Sequence, residues 1–238
     1  SSLEEQTTFN LFDDGLAHLL VRLQGTSGQS ETAILFGPRA IALCCHQIRC
    51  FPDGDRVLVN YLDKNRVARN FPITWHWNNV LEQDDTEVCV YRDDQLTPLP
   101  VYPDSLYLRA DTKLPTALNI NGVSIKKRKF FEDSSLTPDE RLLEPDSSIL
   151  RTWSNVAALS TTKQTISNPA PGVAYSRDLN RYLTSSYAAG VHDSGGLISI
   201  MHQGQRKVVG LHVAGIRSGH LFKSTISFLP HGNYADVH

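Results

Sequence analysis

The sequence predicts an all-β protein built in two halves, and three observations predict it. Short apolar runs alternate with clusters of turn residues at roughly 8–12-residue intervals, the rhythm of a sandwich or barrel. Helical periodicity is weak and confined to Ser2 to Phe12 and Thr137 to Leu143. Between Leu96 and Pro103 stand Pro98, Pro100 and Pro103. Proline has no amide hydrogen for a sheet ladder, so this stretch reads as a stiff extended connection. The boundary falls here, giving halves of residues 1–102 and 103–238.

The strands follow in order. Leu16 to Leu23 is apolar and stops at the turn cluster Gly25-Thr26-Ser27-Gly28. Thr32 to Phe36 leads through Gly37-Pro38 into Ile41 to Cys45. Val57 to Tyr61 follows the turn Pro52-Asp53-Gly54-Asp55, and Glu87 to Tyr91 is another compact β-like run. Beyond the proline stretch, Val123 to Ile125, Leu150 to Leu159, Val208 to Ala214 and Leu221 to Phe228 supply the second half.

Composition excludes several function classes. A chain of 238 residues at 40% hydrophobic content can bury one core, or two small cores with a shared interface. Lys plus Arg is 23 against 25 acidic residues, a net charge of −2, so any nucleic-acid contact needs a local basic cluster. No apolar run approaches the roughly 18 residues of a membrane span. The opening Ser1-Ser2-Leu3-Glu4-Glu5-Gln6 is polar and acidic, unlike a secretory signal. No stable membrane insertion is expected. Cys44, Cys45, Cys50 and Cys89 crowd into the first half rather than framing both, which suits reduced, buried strand thiols. Adjacent cysteines are poor zinc ligands and no second Cys/His pair follows, so neither metal nor cofactor is expected.

The chemistry gathers around Gly190-Val191-His192-Asp193-Ser194-Gly195-Gly196. A nucleophile followed by two glycines permits a sharp turn whose amides can aim at a developing oxyanion. Downstream, Gly210-Leu211-His212-Val213-Ala214-Gly215 is an apolar strand carrying one histidine. Far upstream His46 follows a strand, and the acidic cluster Asp84-Asp85-Thr86-Glu87 precedes another. The order His, acid, nucleophile is one of the known triad orders.

These stretches resemble the chymotrypsin-fold main proteases of picornaviruses and their relatives, the 3C and 3C-like proteases. That family carries Gly-x-Cys-Gly-Gly followed by a Gly-Ile/Leu-His-Val/Ala-Gly strand. The matching stretches here are His192 to Gly196 and Gly210 to Gly215, and the resemblance covers nearly the whole chain. It implies two antiparallel β-barrels (chymotrypsin-like), with a short N-terminal helix. It also implies viral polyprotein processing in the host cell cytoplasm, with host proteins as further substrates. Two positions depart from the pattern. Ser194 stands where the family has cysteine, and His192 stands where it usually has glycine. A thiolate forms readily beside an imidazole whereas a hydroxyl needs concerted base catalysis, so Ser194 reads as an inactivating replacement within a cysteine-protease frame.

The resemblance implies roles residue by residue. His46 is the general base, Ser194 holds the nucleophile position, and Glu87 is the third member, with Asp84 and Asp85 as alternatives. The amides of His192, Asp193 and Ser194 form the oxyanion hole. His212 lies at the floor of the pocket that selects Gln, or else Glu, before the scissile bond. Val213, Ala214 and Gly215 bind the extended peptide. Family members often place a threonine five residues before the nucleophile to share the histidine's hydrogen bond; Ala189 stands there, leaving that partner unassigned. Relatives can also bind viral RNA, and Lys126, Lys127, Arg128 and Lys129 form the basic run that could contact phosphates, though it also suits a solvated hairpin tip. Two other functions stay open: a genuine serine protease, and a protease-fold RNA-binding module that has lost catalysis.

Overall fold

A computed structural model describes residues 16–128, 147–167, 169, 172, 174–190 and 193–230. Both stretches with helical periodicity, the expected N-terminal helix among them, lie outside these residues. The first half holds strands β1 (Leu20–Gly25), β2 (Ser30–Leu35), β3 (Ala40–Cys44), β4 (Arg56–Leu62), β5 (Ala68–Thr74), β6 (Val80–Leu81) and β7 (Val88–Arg92). They form one antiparallel sheet in the order β5-β4-β1-β2-β3-β7-β6. Among the described residues its ladder stays open between β5 and β6, so hydrogen bonds between these strands do not close the first barrel. The ends explain why: β5 carries Pro72, which lacks an amide donor, and β6 is only two residues long.

The second half holds β8 (Ala117–Arg128), β9 (Ser147–Ser160), β10 (Gln164–Ser167), β11 (Ser176–Leu179), β12 (Tyr182–Ser185), β13 (Leu197–His202), β14 (Gln205–Ser218) and β15 (Leu221–Phe228). Six of them close a barrel in the order β12-β15-β14-β13-β8-β9, while β10 and β11 form a separate hairpin. The architecture is the all-β, chymotrypsin-like two-barrel fold.

The halves share packing. Val123, Ile125, Leu150, Leu197, Leu211 and Leu229 join the same apolar cluster as the first-half core. Strand β3 is the party wall. All five of its residues are buried, and its Cys44 packs away from the first core, against Ile166, Leu179, Tyr182 and Val213. All four cysteines are free. Burial pushes the Cys44 and Cys89 thiols up, and the Cys45 thiol is raised first by its hydrogen bond with Cys89. These thiols are packing groups.

Two backbone irregularities matter for the site. The β14–β15 ladder slips between His212 and Ala214. A bulge of this kind re-aims side chains, and it lets Leu211, His212 and Val213 be buried in succession where strict alternation would expose one. The other is the turn after β3 (Cys45–Cys50), a 3-10 turn fastened from below. Trp75 Nε1 donates to Ile48 O at 2.9 Å, and Trp77 Nε1 to Phe51 O at 2.8 Å. Trp75 is fully buried and stacks on Tyr91 at 4.1 Å. Truncating such a residue costs about 3–5 kcal/mol.

Candidate active site

Strand register brings the base and acid together. Cys44 pairs with Val88 at the end of the β3–β7 ladder, and Cys45 N donates to Glu87 O at 2.7 Å. His46, the next residue, therefore stands beside Glu87, and both are buried. His46 Nε2 lies 3.2 Å from Ser194 Oγ. On the other side, Nδ1 lies 3.7 Å from Glu87 Oε2, beyond hydrogen-bond range, and neither atom has another partner among the described residues. Catalytic contacts are often long without substrate and tighten on binding. Asp84 and Asp85 are exposed, so Glu87 is the carboxylate that faces the imidazole.

A second layer holds Glu87, and the sequence reading missed it. Tyr175 Oη donates to Glu87 Oε1 at 2.5 Å, and Arg177 Nε lies 3.8 Å from the same oxygen. Arg177 also donates to Tyr175 Oη at 2.8 Å, to Gln83 O at 2.8 Å and to Thr86 O at 3.1 Å. Burial, then the Glu87 charge, pushes the Tyr175 hydroxyl well up, so it stays protonated and donates.

Ser194 is 5% exposed, on a turn clamped from two directions. Gln47 Nε2 donates to Ser194 O at 3.0 Å and to Thr32 O at 3.1 Å, while Gln47 Oε1 accepts from Cys44 N at 2.8 Å. From the other barrel, Gly195 N donates to His212 O at 2.9 Å, and His212 N to Gly196 O at 2.8 Å. Gly195 has φ +83°, and a Cβ there would sit 1.9 Å from Thr32 O. Only glycine fits. Gln47 was not foreseen either.

The oxyanion-hole expectation needs correction at Asp193. Its amide donates to Gly190 O at 3.1 Å, because the turn folds back on itself there. His192 lies outside the described residues, and Ser194 N takes no acceptor among them.

His212 is buried, with Nδ1 2.7 Å from Tyr187 Oη. Burial lowers its pKa to about 4, with Arg151 and His46 adding to the fall and Asp193 opposing it. The Tyr187 hydroxyl is pushed well up by burial, so it keeps its proton and can donate it to Nδ1. The imidazole is then neutral with its proton on Nε2. Tyr187 thus supports the ring from behind, a role distinct from the second donor that the absent threonine would supply. A Cβ on Gly215 would lie 3.6 Å from Ala189 O and 3.9 Å from His212 Cε1, so Gly215 and Ala189 flank the ring.

The remaining expected residues divide. Gly215 is exposed and Ala214 half-buried, in reach of a ligand. The Val213 side chain is fully buried in the apolar cluster around Cys44, which leaves its backbone as the part that could meet a peptide. Lys126, Lys127 and Arg128 lie on the β8 arm, opposite Ile149, Ser148 and Ser147, while Lys129 lies outside the described residues.

A seven-stranded sheet and a six-stranded barrel meeting at a buried histidine, a carboxylate and a Gly-flanked serine match the chymotrypsin-like protease class. The chain is 32% identical over 225 residues to the RNA1 polyprotein of Blackcurrant reversion association virus, covering 93% of this chain and 11% of that polyprotein. It is 30% identical over 223 residues to the RNA1 polyprotein of Tomato ringspot virus (isolate raspberry), covering 90% and 10%. The chain thus spans about a tenth of the length of the curated relatives it matches. Among solved structures, the MamO protease domain of Magnetospirillum magneticum (apo form) superposes with a TM-score of 0.53 at 10% identity, covering 90% of this chain and 92% of that one. That likeness is one of fold. No family model matches the chain. The chain is thus a homologue of part of viral RNA1 polyproteins in a chymotrypsin-like fold, consistent with the 3C-like proteases.

Proposed function

We propose that this chain is an endopeptidase that cuts a viral polyprotein after glutamine in the host cell cytoplasm, and that its fully active form carries cysteine at position 194. The observation that carries this reading is His46 Nε2 at 3.2 Å from Ser194 Oγ, with buried Glu87 on the far side of the ring. The nucleophile attacks the scissile carbonyl and its proton passes to His46 Nε2. Glu87, steadied by Tyr175 and Arg177, closes on Nδ1 and stabilises the imidazolium. His46 then returns the proton to the leaving amine, and water repeats the sequence on the acyl-enzyme. A thiolate forms readily beside an imidazole, whereas the Ser194 hydroxyl depends on concerted proton removal, so the chain as given turns over slowly.

His212 supports the specificity. A neutral imidazole with its proton on Nε2 offers one donor to a glutamine side-chain oxygen. Asn is one methylene short, Leu leaves the donor unpaired, and Glu would meet a neutral ring with an anion. A buried donor left unpaired costs about 1–3 kcal/mol, or roughly five- to 150-fold in discrimination. The peptide lies extended along Ala214 and Gly215, adding a strand.

The test is peptidase activity of Ser194→Cys beside the chain as given, profiled over a peptide library. Cleavage after Gln, greatly raised by the cysteine, is expected. Equal, vigorous turnover by both forms would make serine the natural nucleophile. A profile without Gln enrichment, or one unchanged by His212→Ala, would remove His212 from the role.

A further inference from the structure

The carboxylate of Asp193, directly before the nucleophile, is fully buried. A buried carboxylate is stable only when donors surround it. Asp193 Oδ1 accepts from Ser124 Oγ at 2.8 Å. Its Oδ2 accepts from Gly190 N at 2.7 Å and from Arg151 Nη1, which forms an ion pair with it. The other guanidinium arm, Arg151 Nη2, donates to Ala188 O.

These donors share an origin. Ser124 and Arg151 face one another across the β8–β9 ladder. The guanidinium lies 5.2 Å over the Trp153 ring, and that ring presses on Gly122, where a Cβ would fall 2.1 Å from it. Arg151 is therefore held by a rigid strand pair, and its planar fork reaches two separate points on the chain. One of those points, Ala188, lies within residues 186–190, which have no regular structure and carry the Tyr187 support of His212, and the other, Asp193, directly precedes residue 194.

The geometry points to Arg151 as a positioning residue. Through Asp193 and Ala188 its guanidinium sets the nucleophile turn, so presentation of residue 194 depends on an ion pair between two residues of the second half. As a statement about catalysis, this rests on the protease reading above. Arg151 touches neither nucleophile nor base; it acts through the backbone that carries residue 194.

The test uses the Ser194→Cys protein and two readouts. The first is steady-state kinetics of Arg151→Ala, Arg151→Lys and the double variant Arg151→Ala/Asp193→Asn, each with and without added ethylguanidinium. The second is the backbone amide resonances of Gly195 and Gly196. A turn displaced by about 1 Å loses on the order of 100-fold in turnover. Arg151→Ala is expected to lower kcat by that factor with a smaller change in KM, and ethylguanidinium should restore it saturably. The double variant, lacking the carboxylate, should not respond. Arg151→Lys keeps the charge but cannot span Asp193 and Ala188, so a loss of about tenfold is expected in a protein that still folds.

The glycine resonances should move in Arg151→Ala and return with ethylguanidinium. Unmoved resonances, or kcat within twofold in both Arg151 variants, would overturn the inference. If the Ser194→Cys parent cleaves nothing, the protease reading fails, and the resonances alone then decide whether Arg151 sets the turn.

Discussion

The two halves hold their share of the site by different means. His46 and Glu87 owe their meeting to backbone register: Cys44 opposite Val88, then Cys45 N on Glu87 O. Residue 194 sits in irregular chain and is placed by buried polar side chains, Gln47 from one half and Arg151 with Ser124 from the other. A ladder spreads its constraint over many bonds, so single side chains there can change with little movement. A loop held by a few buried donors concentrates its constraint. Base and acid should therefore tolerate substitution structurally, while the nucleophile turn should not.

Ways to break that contrast follow. In the Ser194→Cys form, His46→Ala is expected to cut turnover by about 10⁴-fold, at the upper end for a general base, with an unchanged thermal unfolding profile. Substantial activity would remove His46 as the base, and an unfolded variant would deny that this region holds without the His46 side chain. Gln47→Leu should lower turnover by about 100-fold. It should also destabilise the protein by about 1–3 kcal/mol for each partner left unpaired, read by urea unfolding. Normal stability and rate together would show that the turn needs no clamp from the first half.

Tyr175→Phe removes the hydroxyl donor to Glu87 while keeping the ring. About a tenfold fall in kcat is expected, matching one lost hydrogen bond to a charged group, with KM little changed. An unaltered kcat would mean that Arg177 alone steadies Glu87. The smallest effect concerns pH. With His212 lowered from 6.5 to about 4, its ring stays neutral, so the preference for Gln should hold within about twofold from pH 8 to about pH 5.5. A preference that collapses near pH 6.5 would show an ordinary, solvated imidazole. The sign for stability follows from the same depression. Below pH 6.5 the unfolded chain takes up a proton that folded His212 refuses until about pH 4, so stability falls across that window and levels off beneath it.

Much of this was legible in the sequence where the signal is local. The run Leu221 to Phe228 coincides with β15, and the Ser194-Gly195-Gly196 turn announces itself by composition. Glu87 was legible because it directly precedes an apolar strand. Strand β5 was not, since its residues are mostly exposed and include Pro72. Gln47, Arg151, Tyr175 and Arg177 were silent for another reason. Each is an ordinary polar residue whose partners lie far along the chain, as with Tyr175 and Glu87, 88 residues apart. The bulge between His212 and Ala214 was silent too, since it shifts by one residue the face that alternation assigns.

The shared apolar cluster has a consequence for timing during synthesis. The first half emerges with Leu19, Ile41 and Val88 in place, but their packing partners Leu197, Leu211 and Leu229 come late in the chain. At about 5–20 residues per second, the early strands wait many seconds for the side chains that complete their core. The nucleophile turn is likewise unclamped until Gln47 and Arg151 can both reach it. The shared core and the clamped turn are thus complete only after nearly all of the chain has been translated.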